Sequence, residues 1–246
     1  MERKHFLKSL LMGAASAPVL LTACGGKDDV TPSSTTTTTT TTGSTTTTGG
    51  SSTTNCTVAP TETEGPFPTH TPSSYVRSDI TDGRTGYKLT TNITITSSAS
   101  SCAALAGALV DIWHCDAEGN YSEYGGTGMQ STNYTSVHFL RGRQTTSSAG
   151  LVTFTSIFPG WYSGRATHIH VHVYNASGTS LKVTQIAFPE GTGSAIATVN
   201  GYAKGLTGYT YNKSDNVFSD DTAGLEIATV TGSTTAGFVL TMNIAV

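Results

Sequence analysis

Charged residues are scarce in this chain of 246 residues. Thirteen Lys and Arg residues stand against sixteen Asp and Glu residues, and charged residues make up 12% of the sequence. Nucleic-acid binding requires a clustered basic surface, so this low and nearly balanced charge argues against that class of partner. Amphipathic runs with a helical period are also missing at any convincing length, which leaves strands as the main predicted element.

Long apolar runs are scarce as well. The run from Leu10 to Leu21 follows a basic start and is too short to span a bilayer comfortably, which is typical of a secretory signal. Leu21-Thr22-Ala23-Cys24 resembles the lipobox of bacterial lipoproteins, so we predict a signal peptide over residues 1–23 and lipidation of Cys24. An ordinary signal followed by an accidental cysteine is the alternative.

The segment after this signal has almost no apolar side chains. Val30 to Asn55 consists mainly of Thr, Ser and Gly, so residues 24–55 are predicted to be a disordered tether. The start of the tether, Cys24 to Asp29, resembles the signal that sends some lipoproteins to the cell surface. We therefore expect an outer membrane lipoprotein displayed on the surface, or a periplasmic one, which contacts the membrane only through its lipid anchor. Residues 56–246 remain as one domain, long enough to bury a substantial core.

Cysteine is rare in that domain, and the three residues are Cys56, Cys102 and Cys115. An odd number in an oxidising compartment leaves one unpaired, unless it bridges to another chain. Cys102 and Cys115 stand at either end of one predicted strand, too far apart to bridge. We therefore predict a Cys56–Cys102 disulfide and a buried, free Cys115.

The domain shows strand-like patterns separated by Gly, Pro, Asn and Ser turns. This spacing predicts an all-β, antiparallel β-sandwich of the prealbumin-like type. A structural or adhesin module without catalysis is one reading of that fold, because Leu105 to Ile112 also looks like the opening of transthyretin-like stalk modules. The predicted strands are Leu89 to Ser97, Ala108 to His114, Leu151 to Phe158, His168 to Tyr174, Leu181 to Phe188 and Gly237 to Val246.

A histidine pair marks the most informative strand. Alternation places His168 and His170 on one face, about 7 Å apart at the backbone, which suits two ligands of one metal. The turn before them carries Tyr162 and Arg165, and a tyrosine ligand favours ferric iron, a hard cation. A solvated histidine face and a core tyrosine are the plainer readings of the same residues.

Several blocks, taken together, resemble the intradiol ring-cleavage dioxygenases in the same order along the chain. The match covers nearly the whole domain. The matching residues are Thr63 to Phe67 (TEGPF), Val76 to Ile80 (VRSDI), Ala108 to Ser122 (ALVDIWHCDAEGNYS), Phe139 to Gly142 (FLRG) with Gln144, Gly150 with Phe154 to Gly160 (FTSIFPG), then Tyr162, Gly164-Arg165 and His168 to His170 (HIH), and Val183 to Ile186 (VTQI).

The resemblance implies a non-haem Fe(3+) enzyme that cleaves catechol-type aromatic diols with dioxygen to cis,cis-muconate-type products. Its implied metal ligands are Tyr121, Tyr162, His168 and His170. Arg165 matches the active-site arginine of the family, and Tyr121 is the ligand expected to move during catalysis. Gln185 is expected beside the substrate, and Gly65 and Pro66 are expected in the pocket wall.

The sequence departs from the catechol and protocatechuate enzymes in two ways. Only five residues separate Tyr162 from His168, and no long helical segment precedes the domain. The short form resembles the extracellular branch of the family and implies a more open pocket. Because of these departures, neither the substrate preference nor the homo-oligomeric state of the catechol enzymes can be carried over to this chain. The remaining histidines of the blocks and the strand, His114, His138 and His172, are expected to have packing or surface roles.

Overall fold

The computed structural model describes residues 57–246 and contains nine strands in that range, most of which show the alternation of polar and apolar residues. The strands are β1 (Lys88–Ser97), β2 (Ala103–Ala104), β3 (Leu109–Trp113), β4 (Arg141–Thr145), β5 (Leu151–Ile157), β6 (His168–Tyr174), β7 (Ser180–Ala187), β8 (Thr229–Ser233) and β9 (Gly237–Ala245). The helical elements are α1 (Ala195–Val199) and the short 3-10 turns Pro72–Ser74, Ser98–Ser100, Tyr202–Lys204 and Asn212–Ser214.

The strands form two sheets that share one core. One sheet has the order β4-β3-β6-β7 and is antiparallel throughout. The other has the order β2-β1-β9-β8, with β5 also paired to β1. The predicted all-β sandwich is confirmed, with one correction: β1 and β9 run parallel. Parallel neighbours need a long connection, and nearly the whole domain separates these two strands along the chain.

Inward-facing side chains from both sheets fill the space between them. In β1 the buried residues alternate with partly exposed ones, as a strand with one wet face requires. Strand β6 is different, because it is buried on both faces along almost its whole length. Its apolar face enters the core, so its histidine face must be covered by loops instead. That covered face is where the candidate site lies.

The cysteine predictions can be compared with the structure in part. Cys102 is disulfide-bonded, and Cys115 is free and buried, as predicted. Cys56, the predicted partner of Cys102, lies outside the described residues, as do the signal peptide, Cys24 and the tether, and these stay predictions. Among residues 57–246, no helix has the length and apolar character that crossing a membrane requires.

Candidate metal centre

His168 and His170 project side by side from the start of β6, both almost completely buried. Their Nε2 atoms lie 3.1 Å apart. His168 Nδ1 lies 2.6 Å from the carbonyl oxygen of Ala166. Because a carbonyl only accepts hydrogen bonds, Nδ1 of His168 carries the proton and the lone pair of its Nε2 points toward His170. This is the arrangement in which a neutral imidazole binds a metal.

Two tyrosines complete the cluster from different parts of the chain. Tyr121 lies in the loop after β3, and its Oη is 3.3 Å from Nε2 of His168. Tyr162 lies in the turn between β5 and β6, with its ring 5.6 Å from the His168 ring and 5.8 Å from the Tyr121 ring. Tyr162 Oη is buried and has no hydrogen-bond partner among residues 57–246. A buried, unpaired hydroxyl next to the imidazoles is costly unless a further group satisfies it.

Burial favours the neutral form of each side chain of the cluster when no metal is bound. Burial lowers the pKa of His168 to about 3, with Arg165 acting in the same direction, and burial lowers the pKa of His170 well below its ordinary value. Burial also raises the pKa of Tyr121 and of Tyr162 above that of a free phenol, although Arg165 opposes the rise at Tyr162. A bound metal cation reverses this preference at a phenol and stabilises the phenolate.

The donor set also limits the kind of metal. Residues 57–246 contain no group of three His, Cys, Asp or Glu side chains that could hold a metal ion. Any metal bound by this cluster must therefore accept phenol oxygens together with imidazole nitrogens. That mixture fits ferric iron, a hard cation, better than zinc, which prefers His, Cys and carboxylate ligands. The four residues therefore fit the group that the sequence blocks imply.

Neighbouring residues fix the ring orientations. Trp113 stacks on His170 with ring centroids 4.9 Å apart and planes only 2° from parallel. Gly65 lies against the same imidazole, since a Cβ added there would come within 2.8 Å of His170 Cε1. Phe67 stacks on Tyr121 at 4.7 Å. The segment around Gly65 therefore lies against the cluster, at the His170 ring, and the role of Gly65 and Pro66 in a pocket wall stays a prediction.

Replacing Gly65 with alanine is expected to lower the affinity for Fe(III) by about 10-fold or more, the scale typical of residues that orient metal ligands. The added methyl would displace the His170 ring, and the residue would also have to keep a φ of +71°. Gly178→Ala is a matched control, because its φ is +85° with no atom within 4 Å of the added carbon. Iron titration against a chelator measures the difference, and equal affinities in the two variants would contradict the expectation.

Arg165 and Gln185 lie together beside the histidines. Arg165 Nη2 donates to Gln185 Oε1 at 2.6 Å, and Gln185 Nε2 donates to the carbonyl oxygen of Thr63 at 2.9 Å. Gln185 is also the neighbour of His170 across the β6–β7 ladder. Arg165 Nε donates to the buried carboxylate of Asp215 at 2.9 Å. The predicted residues therefore converge, and the arginine has an ion-pair partner that the sequence analysis did not find.

Two further residues support Tyr121 and were also missed. Gln130 Oε1 accepts from the Tyr121 backbone N–H at 2.6 Å, and Gln130 Nε2 donates to the Tyr121 carbonyl oxygen at 2.8 Å. The completely buried Arg141 donates to the carbonyl oxygens of Ser122 and Phe67. Because the backbone of Tyr121 is held on both sides, any movement of this ligand must come from rotation of its side chain.

The other histidines of these segments have hydrogen-bond partners elsewhere, in agreement with their expected packing or surface roles. His114 pairs with Ser156 Oγ at 2.7 Å, and the partly exposed His138 pairs with Glu123 at 3.0 Å. His172 contacts Ser180 and Tyr174 and forms an ion pair with Glu64. Only the first two histidines of the β6 row therefore belong to the cluster.

Comparison with known proteins gives the class. A family model described as Dioxygenase matches residues 65–216. An intradiol ring-cleavage dioxygenase from Tetranychus urticae is 29% identical, with a TM-score of 0.67 over 77% of this chain and 94% of that chain. The dioxygenase domain of a dioxygenase and carbohydrate-binding fusion from Streptomyces sp. SirexAA-E is 26% identical, with a TM-score of 0.54 over 77% of this chain and 98% of that chain. No curated protein matches the sequence.

A third structure, hydroxyquinol 1,2-dioxygenase from Pseudomonas putida DLL-E4, shares the fold at 12% identity and a TM-score of 0.52, over 76% of this chain and 66% of that chain. The model match covers more than half of the chain and includes all four residues of the cluster. This protein therefore belongs to the intradiol ring-cleavage dioxygenases, a family of oxidoreductases.

Proposed function

We propose that this protein cleaves catechol-type aromatic diols between their two hydroxyl groups with dioxygen and releases cis,cis-muconate-type products. Non-haem Fe(3+) is held by Tyr121, Tyr162, His168 and His170. The observation that carries the proposal is the convergence of buried ligand atoms: two imidazole Nε2 atoms 3.1 Å apart, the Tyr121 oxygen 3.3 Å from that of His168, and a second phenol oxygen with no hydrogen-bond partner among the described residues.

When bound, ferric iron would make the catecholate ring susceptible to attack by dioxygen. The surrounding residues prepare this chemistry by charge. Two neutral imidazoles and two phenolates supply two negative charges to a trivalent ion, which leaves one positive charge for the substrate oxygens. A diol loses two protons as it binds, and we assign one of them to Oη of Tyr121 and the other to solvent. The proton returns that phenol to the neutral form that its complete burial favours.

Other residues of the site orient the substrate and stabilise charge. The hydrogen bond of Arg165 to Gln185, the cross-strand neighbour of His170, and its electrostatic effect on both histidines support a position close to the reacting ring. We assign to it the stabilisation of negative charge that develops during ring cleavage. Gln185 orients Arg165 and borders the substrate, and the Gly65–Pro66 segment excludes water on the His170 side.

Loading the purified protein with Fe(III) tests the proposal. We expect a wine-red protein, because phenolate-to-iron charge transfer absorbs visible light, and Tyr162→Phe should shift or bleach this band. With catechol and ¹⁸O₂, mass spectrometry should find both labelled atoms in a single ring-opened product. A structural or adhesin module would show neither result. The proposal would be contradicted if the iron-loaded protein is colourless, or if a red protein consumes no oxygen when catechol is added.

A further inference from the structure

Asp215 is a completely buried carboxylate in the loop after the 3-10 turn Asn212–Ser214. It accepts hydrogen bonds from Arg165 Nε, at 2.9 and 3.2 Å to its two oxygens, and from the backbone N–H groups of Ala166 at 2.6 Å and Val217 at 2.8 Å. One of these donors belongs to its own loop. The other two belong to the turn that leads into β6, about fifty residues earlier in the chain.

A buried ion pair stabilises a protein only when hydrogen bonds satisfy the remaining lone pairs, since desolvation of two charges is costly. Both oxygens of Asp215 meet this condition through the two backbone N–H groups. The pair is therefore well built, but apolar side chains of similar volume would often be at least as stable at such a position. Stability alone is a poor explanation for a charged pair beside the metal centre.

The geometry around Arg165 offers a better explanation. Asp215 holds the guanidinium at Nε, and Gln185 holds it at Nη2. Two contacts on one planar group fix the long side chain and leave other N–H groups of the guanidinium available for a substrate. The same carboxylate binds the N–H of Ala166, whose carbonyl oxygen accepts the proton of His168 Nδ1. Asp215 thus contacts both Arg165 and Ala166, the residue whose carbonyl oxygen orients the His168 ring.

We infer that Asp215 is a positioning residue for ring cleavage: it holds Arg165 in the orientation that stabilises charge on a bound aromatic diol. The inference rests on the proposed function. The Asp215–Arg165 ion pair could serve either stability or catalysis, and these two roles have different consequences when the pair is broken. A purely structural pair would lower stability when broken but leave the turnover of the folded protein unchanged. A positioning pair would lower kcat through Arg165, and this effect would disappear once Arg165 itself is absent.

Asp215→Asn removes the charge and preserves the size of the side chain. Its kcat is expected to fall by about 10-fold or more, the scale seen when supporting residues of a site are removed. The KM for catechol and the phenolate charge-transfer band should change little. Asp111→Asn is the matched control, because Asp111 is also buried and pairs with Arg143 at 2.7 Å. It should lose stability without losing kcat per bound iron.

A double-mutant cycle gives the decisive comparison. The variant with both Asp215→Asn and Arg165→Leu should turn over no more slowly than Arg165→Leu alone. If the two losses multiply instead, or if Asp215→Asn keeps full kcat, the inference is wrong. If the asparagine variant does not fold, Asp215→Glu moves the carboxylate by one methylene, and the same reduction in kcat with an unchanged KM is expected.

A measurement independent of activity separates this inference from the proposed function. In the full-length protein without iron, nuclear magnetic resonance should show an Arg165 Nε–H that exchanges slowly with solvent. That protection should be lost in Asp215→Asn and kept in Asp111→Asn. Unaltered protection in Asp215→Asn would overturn the positioning role. A wild-type protein that shows the protection but never consumes oxygen with catechol would instead overturn the proposed function.

Discussion

His170→Ala is expected to abolish iron retention while leaving the β-sandwich folded. His170 is fully buried, yet it faces Trp113 and Gly65 on the outer side of its sheet, away from the core between the sheets. Loss of a ligand should cost more than the roughly 10–100-fold in metal affinity that supporting residues cost. Metal analysis after desalting should find almost no iron, and circular dichroism should retain the spectrum of a β protein.

His172→Ala provides the matched control for this prediction. His172 lies on the same face of β6 and is also buried, but its ring nitrogens contact Ser180, Tyr174 and Glu64. We expect this variant to retain iron. If His172→Ala loses the metal and His170→Ala keeps it, the ligand assignment is wrong by two positions along the strand. Gln185, which is the cross-strand neighbour of His170, would then not lie next to a ligand.

The strand predictions succeeded where a local pattern reflects burial. β6 begins and ends where the alternation predicts, and β1, β3, β5, β7 and β9 differ by one residue at one or both ends.

β4 was missed because its sequence, RGRQT, contains no apolar residue. Its buried arginine, Arg141, is stabilised by hydrogen bonds to Ser122 and Phe67 and not by an apolar environment. β8 was missed because it is an exposed edge strand that contains Gly232.

Long-range relations explain the other differences. The parallel pairing of β1 with β9 depends on how the chain crosses between the sheets, which local alternation does not encode. The same contrast between local patterns and long-range contacts applies to the residues of the candidate site. His168 could be predicted from the alternation along its strand, and Tyr121 from the resemblance of its block to the family. Asp215 could not, because an isolated aspartate in a polar loop carries no signal of a partner fifty residues earlier.

The two buried arginines show that a match to a family block can point to an important residue without indicating what that residue does. Arg141 and Arg165 both lie in quoted blocks, and both are nearly inaccessible to solvent. Arg141 binds the backbone around Tyr121 and stands 3.6 Å from the Glu123 carboxylate, so it supports one tyrosine ligand. Arg165 lies beside the histidines and within the electrostatic reach of Tyr162. Under the proposed function, Arg165 is therefore the one of these two arginines that we place next to the substrate.

Arg165→Leu is expected to lower turnover by about 100-fold or more, the scale seen when one preorganised electrostatic donor is lost. Iron binding and colour should change little, because none of the four proposed ligands is altered. Catechol should still bind and shift the spectrum, since coordination to the metal supplies most of its affinity. Stopped-flow mixing of the catechol complex with dioxygen would then locate the loss in the reaction with oxygen.

The ion pair with Asp215 complicates this experiment, and the design must account for it. Removing one partner of a buried pair typically costs about 3–5 kcal/mol, because the other charge remains buried without compensation. Rates must therefore be expressed per bound iron in folded protein. Arg143→Leu is the control, since it leaves the buried carboxylate of Asp111 without its partner at a position away from the proposed metal ligands and should preserve the rate per iron. If Arg165→Leu consumes oxygen as fast as wild type on this basis, Arg165 serves only as the ion-pair partner of Asp215, and the stabilisation of reacting charge must come from other groups.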